Sequence, residues 1–309
     1  MNKQESDILN TLYTKEYTNQ RTLAELTGYS LGAVNKCLKS LADEGYIDDK
    51  MALTDKAKEE FKTNTPQNAI ILAAGYGMRM VPINTEVPKG LLEVDGEPLI
   101  ERTIKYLREA GVQSIYVIIG YMKEHYEYLI DEYDVELVVC SEYAHKNNLH
   151  SLKLVADKIS NSYIIPCDIW CGTNPFSRNE LYSWYMVTDM MDKDSTVRVN
   201  RKMELVTTDA ASGGNAMIGI AYIKEEQAEA LRKKIAEMCA NPNYDGVFWE
   251  EALFEKDRMT LLAKVVSGEK IIEINTYEQL RDLDNGSNHL KTGAMNIIAD
   301  TLGVGEDEI

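Results

Sequence analysis

Positive charge, cysteine and long apolar runs are all scarce in this sequence, and each shortage removes a class of protein. Lys and Arg number 33 against 50 Asp and Glu, a formal charge of −17. Such a surface repels a polyanion unless a local basic patch overrides it, so nucleic acid is disfavoured as the main substrate of the chain. One nucleotide, neutralised by a few aimed donors, is not disfavoured. Five cysteines, an odd number without repeated close spacing, make no disulfide framework. The nearest pair, Cys167 and Cys171, lacks the neighbours of a zinc site. No apolar run reaches the roughly eighteen residues needed to span a bilayer. The opening MNKQESDILN carries no signal-peptide apolar stretch, so a cytoplasmic location is expected. With 44% hydrophobic residues over 309 positions, what remains is one large α/β domain plus a smaller one.

Residues 1–62 read as the smaller domain. Ile8, Leu9 and Leu12 fall at the spacing of a buried helix face, and Leu23, Ala24 and Leu26 mark a second helix that Gly28 ends. Ser30 can cap a third, with Leu31, Val34, Leu38 and Leu41 inward. Tyr46-Ile47 and Met51-Ala52-Leu53 then predict a short hairpin, and Thr54 a cap for a last helix through Phe61. Three helices and a wing resemble the winged helix-turn-helix of bacterial regulators. That fold would turn Asn35, Lys36 and Lys39 towards a DNA groove. Two lysines are a thin footprint, with Asp43, Glu44, Asp48 and Asp49 just beyond. The unit is therefore read either as a DNA-contacting domain or as a packing module that joins two copies in a homodimer. The polar segment 62–68, containing Pro66, is the expected boundary.

From Ala69 the pattern changes. Residues 69–74 are a continuous apolar run, the mark of a buried parallel strand. Helices are predicted over 99–110, 123–132 and 150–159, and strands over 114–120, 135–140 and 163–166. This alternation with short connections predicts an α/β fold: a mostly parallel, Rossmann-like sheet with helices on both faces, occupying 68–283. A strand over 215–223, a long helix over 225–239 and a shorter one over 247–254 follow. Edge strands are predicted at 264–266 and 270–274. A glycine-rich acidic tail, 284–309, carries one expected helix over 294–302.

The chemistry gathers after the first strand. In Leu72-Ala73-Ala74-Gly75-Tyr76-Gly77-Met78-Arg79, the glycines let backbone amides approach a phosphate chain, and Arg79 adds a charged fork. The spacing is neither the dinucleotide fingerprint nor a P-loop. The longer stretch LAAGYGMRMVPINTEVPKGLLEVDGEPLIERTI resembles the signature of the sugar-nucleotide pyrophosphorylase-like nucleotidyltransferases, over about residues 68–280. The resemblance implies that residues 72–77 wrap the nucleotide and that Arg79 and Lys89 neutralise charge at the reacting phosphates. Asp168, just past the apolar strand 163–166, stands at the carboxyl edge where ligands bind in open α/β sheets. The family holds Mg2+ there, with Glu273 and the position of Asn275 completing the site. Related enzymes often have an acid at that last position; Asn275 brings an oxygen without charge, and its direct ligation is left open.

A closer likeness lies in EYAHKNNLHSL, SYIIPCD, SWYMV, VFWEE and IIEIN, which resemble segments of bacterial phosphocholine cytidylyltransferases. It implies CTP and phosphocholine as substrates, with Asn147, Asn148 and Ser151 at the nucleotide base. Trp184, Trp249 and Glu250 would surround the choline head, since a quaternary ammonium takes aromatic faces and an acid rather than hydrogen-bond acceptors. The alternative for the two tryptophans is core packing. Other acceptors in the same class are phosphoethanolamine, 2-aminoethylphosphonate and a sugar phosphate; a ligand-responsive DNA-binding regulator is the reading outside it. The stretch NIIADTLGVGEDEI resembles the opening of a choline/ethanolamine kinase-like domain, the alternative being a frayed acidic tail.

Overall fold

The computed structural model describes residues 1–17, 19–81, 83–209, 212–284, 298–299 and 301–305. The chain forms two compact units: Met1–Pro66 with Ser177–Ser183, and Gln67–Phe176 with Trp184–Ile309.

The first unit holds α1 (Lys3–Thr14), α2 (Gln20–Thr27), α3 (Leu31–Asp43) and α4 (Asp55–Thr63). Each starts at a side chain that accepts an otherwise orphaned amide: Asn2, Asn19, Ser30 and Thr54. Gly28 ends α2 at φ +71°, a left-handed turn that glycine adopts without steric cost. The wing is the bridge between Ile47 and Leu53. Ile8, Leu9, Leu23, Val34, Leu41 and Phe61 form the core, and Leu181 packs into it from far along the chain. Beside it, Tyr182 donates to Asp7 Oδ1 at 3.0 Å, and the Glu180 amide donates to Asn64 O at 3.1 Å. Nothing in the sequence signalled that residues 177–183 belong to this unit. Asn35, Lys36 and Lys39 are exposed, on the side of α3 away from buried Val34, Cys37, Leu38 and Leu41.

The second unit begins with β1 (Asn68–Ala73), the short pair β2 (Glu93–Val94) and β3 (Glu97–Pro98), and α5 (Leu99–Glu109). Then come β4 (Ser114–Ile119), α6 (Tyr128–Tyr133), β5 (Glu136–Val139), α7 (Asn148–Lys153), β6 (Ser162–Pro166) and β7 (Ile169–Cys171). The later elements are β8 (Trp184–Asp192), β9 (Val197–Val199), β10 (Glu204–Thr207), β11 (Gly214–Ile223), α8 (Glu225–Cys239), β12 (Phe254–Glu255), β13 (Arg258–Val266), β14 (Ile271–Glu273) and α9 (Tyr277–Leu283).

Among the described residues the main sheet runs β5-β4-β1-β6-β11-β8-β13-β10-β9, with β12 beside β13. Its first half, β5-β4-β1-β6, is parallel as expected. Beyond β6 it becomes mixed, because β11 runs antiparallel to both β6 and β8 while β13 is parallel to β8. Ile70 and Leu72 pack into a core with Leu149 and Leu152 of α7 and Leu231 and Ile235 of α8. Ala69 and Ile71, which alternate to the opposite face, are equally inaccessible, so β1 is covered on both sides.

Several local expectations change. β13 is an interior strand between β8 and β10, not an edge. Its alternating burial reports which face is covered and says nothing of which strands flank it. The helix expected over 247–254 is a 3-10 turn, Trp249–Leu253, and that over 123–132 divides into a 3-10 turn, Lys123–Tyr126, and α6. The tail from 284, with its expected helix over 294–302 and its kinase-like resemblance, lies largely outside the described residues.

Candidate active site

β1 delivers the chain to the carboxyl edge of the parallel half-sheet, and the glycine loop starts there. Gly77 adopts φ +63° and leads into a 3-10 turn, Met78–Met80, that carries Arg79. A Cβ on Gly77 would lie 3.4 Å from the Lys89 side chain, whereas one on Gly75 would face open space. The loop thus presents bare backbone, with a lysine laid along it. Lys89 itself opens a 3-10 turn behind Pro88.

Asp168 follows β6 by two residues, and a separate ribbon brings its partner. β14 pairs with β7 so that Glu273 lies opposite Ile169, and the Ile274 amide donates to Asp168 O at 2.9 Å. This pairing places Glu273 beside Asp168 although 104 sequence positions separate Ile169 from Glu273. Burial, with Asp168 nearby, holds the Glu273 carboxyl above its ordinary range, and a hydrogen bond from Asn275 works against that rise.

The cations converge on the same point. Lys89 Nζ donates to Asp168 Oδ2 and, at 2.9 Å, to Asn275 Oδ1. Arg79 Nη2 donates to that same Asn275 oxygen at 2.6 Å. Asn275 therefore receives two cations on its oxygen and bonds Glu273 as well. Asp168 Oδ1 is buried and has no protein partner. Among the described residues no group of three or more His, Cys, Asp or Glu could hold a metal ion. Mg2+ needs no such cage: it uses one or two carboxylates, waters and substrate phosphates. An Asp168–Glu273 pair with one buried oxygen unpartnered fits that requirement.

These groups line a cavity of about 990 Å3 that also takes in Tyr185, Phe248 and Glu250. Tyr185 donates to Glu250 Oε1 at 3.3 Å, while Glu250 Oε2 is buried without a partner. Burial pushes the Glu250 carboxyl up to about 7. Leu72, Ala74, Gly75, Tyr76, Gly77, Asn147, Asn148 and Ser151 line the cavity too. Ala73 does not; it is buried at the end of β1.

Trp184 and Trp249 are not brought to the site. Both are fully buried and neither lines the cavity. Successive β8 side chains point to opposite faces, so Tyr185 reaches the cavity while Trp184 packs against Tyr163 (ring centroids 6.0 Å apart) under the Lys264 ammonium. The Trp249 ring lies 6.3 Å from that of Tyr185, and Glu250 takes the cavity position beside it. The aromatic groups that line the cavity are Tyr76, which the sequence placed in the nucleotide loop, and Tyr143, Tyr185, Phe248 and Phe254, which it passed over. Tyr76 stands 5.0 Å from Tyr121 and 5.1 Å from Tyr143 between ring centroids. Each follows the carboxyl end of a neighbouring parallel strand, β1, β4 and β5, a signal the sequence did contain. Gly120 makes room: a Cβ there would meet the Tyr143 ring at 2.7 Å.

Residues 69–179 match the MobA-like NTP transferase domain family, and residues 1–48 match a winged helix-turn-helix DNA-binding family. The chain is 37% identical to choline-phosphate cytidylyltransferase of Haemophilus influenzae, over 68% of its own length and 93% of that relative. It belongs to the MobA-like nucleotidyltransferase family. This nucleotidyltransferase is also 29% identical to 2-aminoethylphosphonate cytidylyltransferase of Lancefieldella rimae, over 71% of the chain and 92% of the relative. The solved structure of CTP:phosphocholine cytidylyltransferase from Streptococcus pneumoniae superimposes with a TM-score of 0.64 at 28% identity, covering 71% of this chain and 98% of that one. The nucleotidyltransferase is thus an enzyme that acts on a small phosphorylated substrate by the metal-assisted transfer typical of its class. No helix among the described residues is long and apolar enough to cross a membrane.

Proposed function

We propose that the enzyme transfers CMP from CTP to phosphocholine, giving CDP-choline and pyrophosphate. The observation that carries this reading is the make-up of one cavity, whose lining joins Arg79 and Lys89, beside Asp168 and Glu273, to Glu250 with Tyr185. A triphosphate suits the two cations, and a cationic head group suits an acid with aromatic rings in the same lining. Asp168 and Glu273 would hold Mg2+, which draws charge from the α-phosphate. A phosphocholine oxygen forms the new bond to that phosphorus while its bond to the β-phosphate oxygen breaks in line. Arg79, Lys89 and the loop amides receive the charge of the leaving pyrophosphate. No strong base is needed, because a phosphomonoester is already an anion near neutral pH, so the protein's task is placement. Asn275 is assigned to the cations rather than to the metal, since its oxygen accepts from both.

The likeness to a 2-aminoethylphosphonate enzyme keeps other acceptors in the test. Purified protein, CTP and Mg2+ are incubated in turn with phosphocholine, phosphoethanolamine, 2-aminoethylphosphonate and a sugar phosphate, and pyrophosphate is measured. Phosphocholine is expected to give the highest kcat/KM, with activity lost on adding EDTA. Preference for another acceptor would reassign the substrate, and no consumption of any nucleoside triphosphate would reject the reading. A second role, DNA contact, rests on the exposed Asn35, Lys36 and Lys39 of α3.

A further inference from the structure

Asn147 and Asn148 line the cavity, but their amide groups are turned to the polypeptide. Asn147 Oδ1 caps α7 by accepting the Asn148 N–H at 2.7 Å, and its Nδ2 donates to Gly246 O at 3.1 Å. The Asn147 N–H also donates to Asp245 O at 2.8 Å. Asn148 Oδ1 accepts the Trp249 N–H at 2.8 Å. Two adjacent residues thereby grip both ends of segment 246–249. Between those anchors stands Phe248, a large apolar side chain that is 61% exposed and lines the cavity; immediately after them comes Glu250.

We propose that Asn147 and Asn148 are positioning residues for the acceptor subsite, holding the segment that carries Phe248 and leads into Glu250, rather than readers of the nucleotide base. The inference rests on the functional reading above, in which this wall receives the acceptor. The amide of an asparagine is oriented by the bonds it makes, and these two are oriented by bonds to the polypeptide. Asn147 has both engaged and Asn148 has its oxygen engaged. Val247 and Trp249 pack into the core on either side of the exposed Phe248, whose carbonyl accepts the Glu251 N–H at 3.1 Å, and the asparagine bonds add to these contacts in fixing where the ring stands.

Three variants separate the roles. Asn148→Ala removes the acceptor of the Trp249 N–H, and Asn148→Asp restores it. Asn147→Ser keeps a hydroxyl to cap α7 but loses the donor to Gly246 O. Steady-state KM for phosphocholine and for CTP, and amide hydrogen exchange at Trp249, are measured on the whole protein. In Asn148→Ala and Asn147→Ser the acceptor KM is expected to rise about tenfold, the effect of one lost hydrogen bond, with CTP KM changed less than about twofold. Trp249 exchange should quicken in Asn148→Ala, and Asn148→Asp should return both values towards wild type. A rise in CTP KM, or a switch to another nucleoside triphosphate, with acceptor KM unmoved would overturn the proposal. Should Asn148→Ala fold poorly, Asn147→Ser, with its cap intact, gives the same decision. A wild-type enzyme inactive with every acceptor would sink the functional reading instead, which keeps the two failures distinct.

Discussion

Lys89 Nζ donates to Asp168 Oδ2, a bond across 79 residues of sequence between side chains only 11% and 14% exposed. Screening by water is weak there, so each charge sets the position of the other. The same lysine also reaches Asn275 and, through it, stands beside Arg79. Entry of a phosphate chain with its metal would offer Lys89 new oxygens and release Asp168. The pair is therefore a cation and an anion placed where a phosphate chain and a metal would each find a partner.

Asp168→Asn keeps the shape and deletes the charge. It is expected to lower kcat by about 100-fold or more, as is Lys89→Met, because both act on charge that develops during transfer. Thermal unfolding and far-UV circular dichroism are measured alongside, because each change leaves its weakly exposed partner without a counter-charge, and the comparison is made below the melting temperature of the variants. Either variant turning over at the wild-type rate would place the site elsewhere.

Glu250 is expected to make activity and stability oppose each other with pH. Its carboxyl, pushed up to about 7 by burial, is neutral in the folded protein at a pH where the unfolded chain has already ionised it. The folded state is thus favoured most at low pH, and that advantage is lost as pH rises through about 7. Glu250→Gln should leave stability unchanged near pH 4 and raise it by up to about 3 kcal/mol above pH 8, read as a Tm difference that opens with pH. Conversely, kcat/KM for a cationic acceptor should climb through neutrality in the wild type and lose that step in Glu250→Gln. Parallel pH profiles in the two proteins would contradict the assignment.

Leu181 belongs to the helical unit although its neighbours in sequence lead from β7 to β8. Leu181→Ala should cost that unit about 2–5 kcal/mol, the range for a leucine removed from a packed core. Amide exchange in α1, α2 and α3 of the full chain is the measurement, and unchanged protection there would show that the contact contributes little.

For DNA, Lys36→Ala with Lys39→Ala should reduce affinity for duplex and flatten its dependence on salt, each lost phosphate contact lowering the log–log slope by about 1. The net charge of −17 opposes binding elsewhere on the molecule, so any duplex affinity should reside in α3. No binding at low salt would leave the winged helix as a packing module.

Local chemistry was legible along the chain. Ser30 and Thr54 read as caps and are caps; the apolar run from Ala69 read as a doubly covered strand and is one. Both depend on residues within a few positions of each other, and hydrogen bonding and periodicity act over that range. Gly75 and Asp168 could be placed near one another because each follows a strand of a parallel half-sheet, whereas Arg79 and Lys89 were joined to them by the family resemblance.

Tertiary structure alone decided the rest. That Trp184 faces the core and Tyr185 the cavity turns on the phase of β8, and a strand with aromatic residues on both faces does not declare it. The same holds for β13, whose one-sided burial looks alike at an edge or in the middle of a sheet. Leu181 entered the helical core and Asn275 became the meeting point of two cations through contacts between segments that share no local pattern. The sequence by itself determined the helices of the first unit, the strands of the parallel half-sheet and α8, because those are short-range outcomes of bonding and apolar spacing; it did not mark β7 to β10 or the 3-10 turns. Which side chains meet, and hence which groups face a substrate, was decided only when chain closure brought distant segments into one low-dielectric cavity.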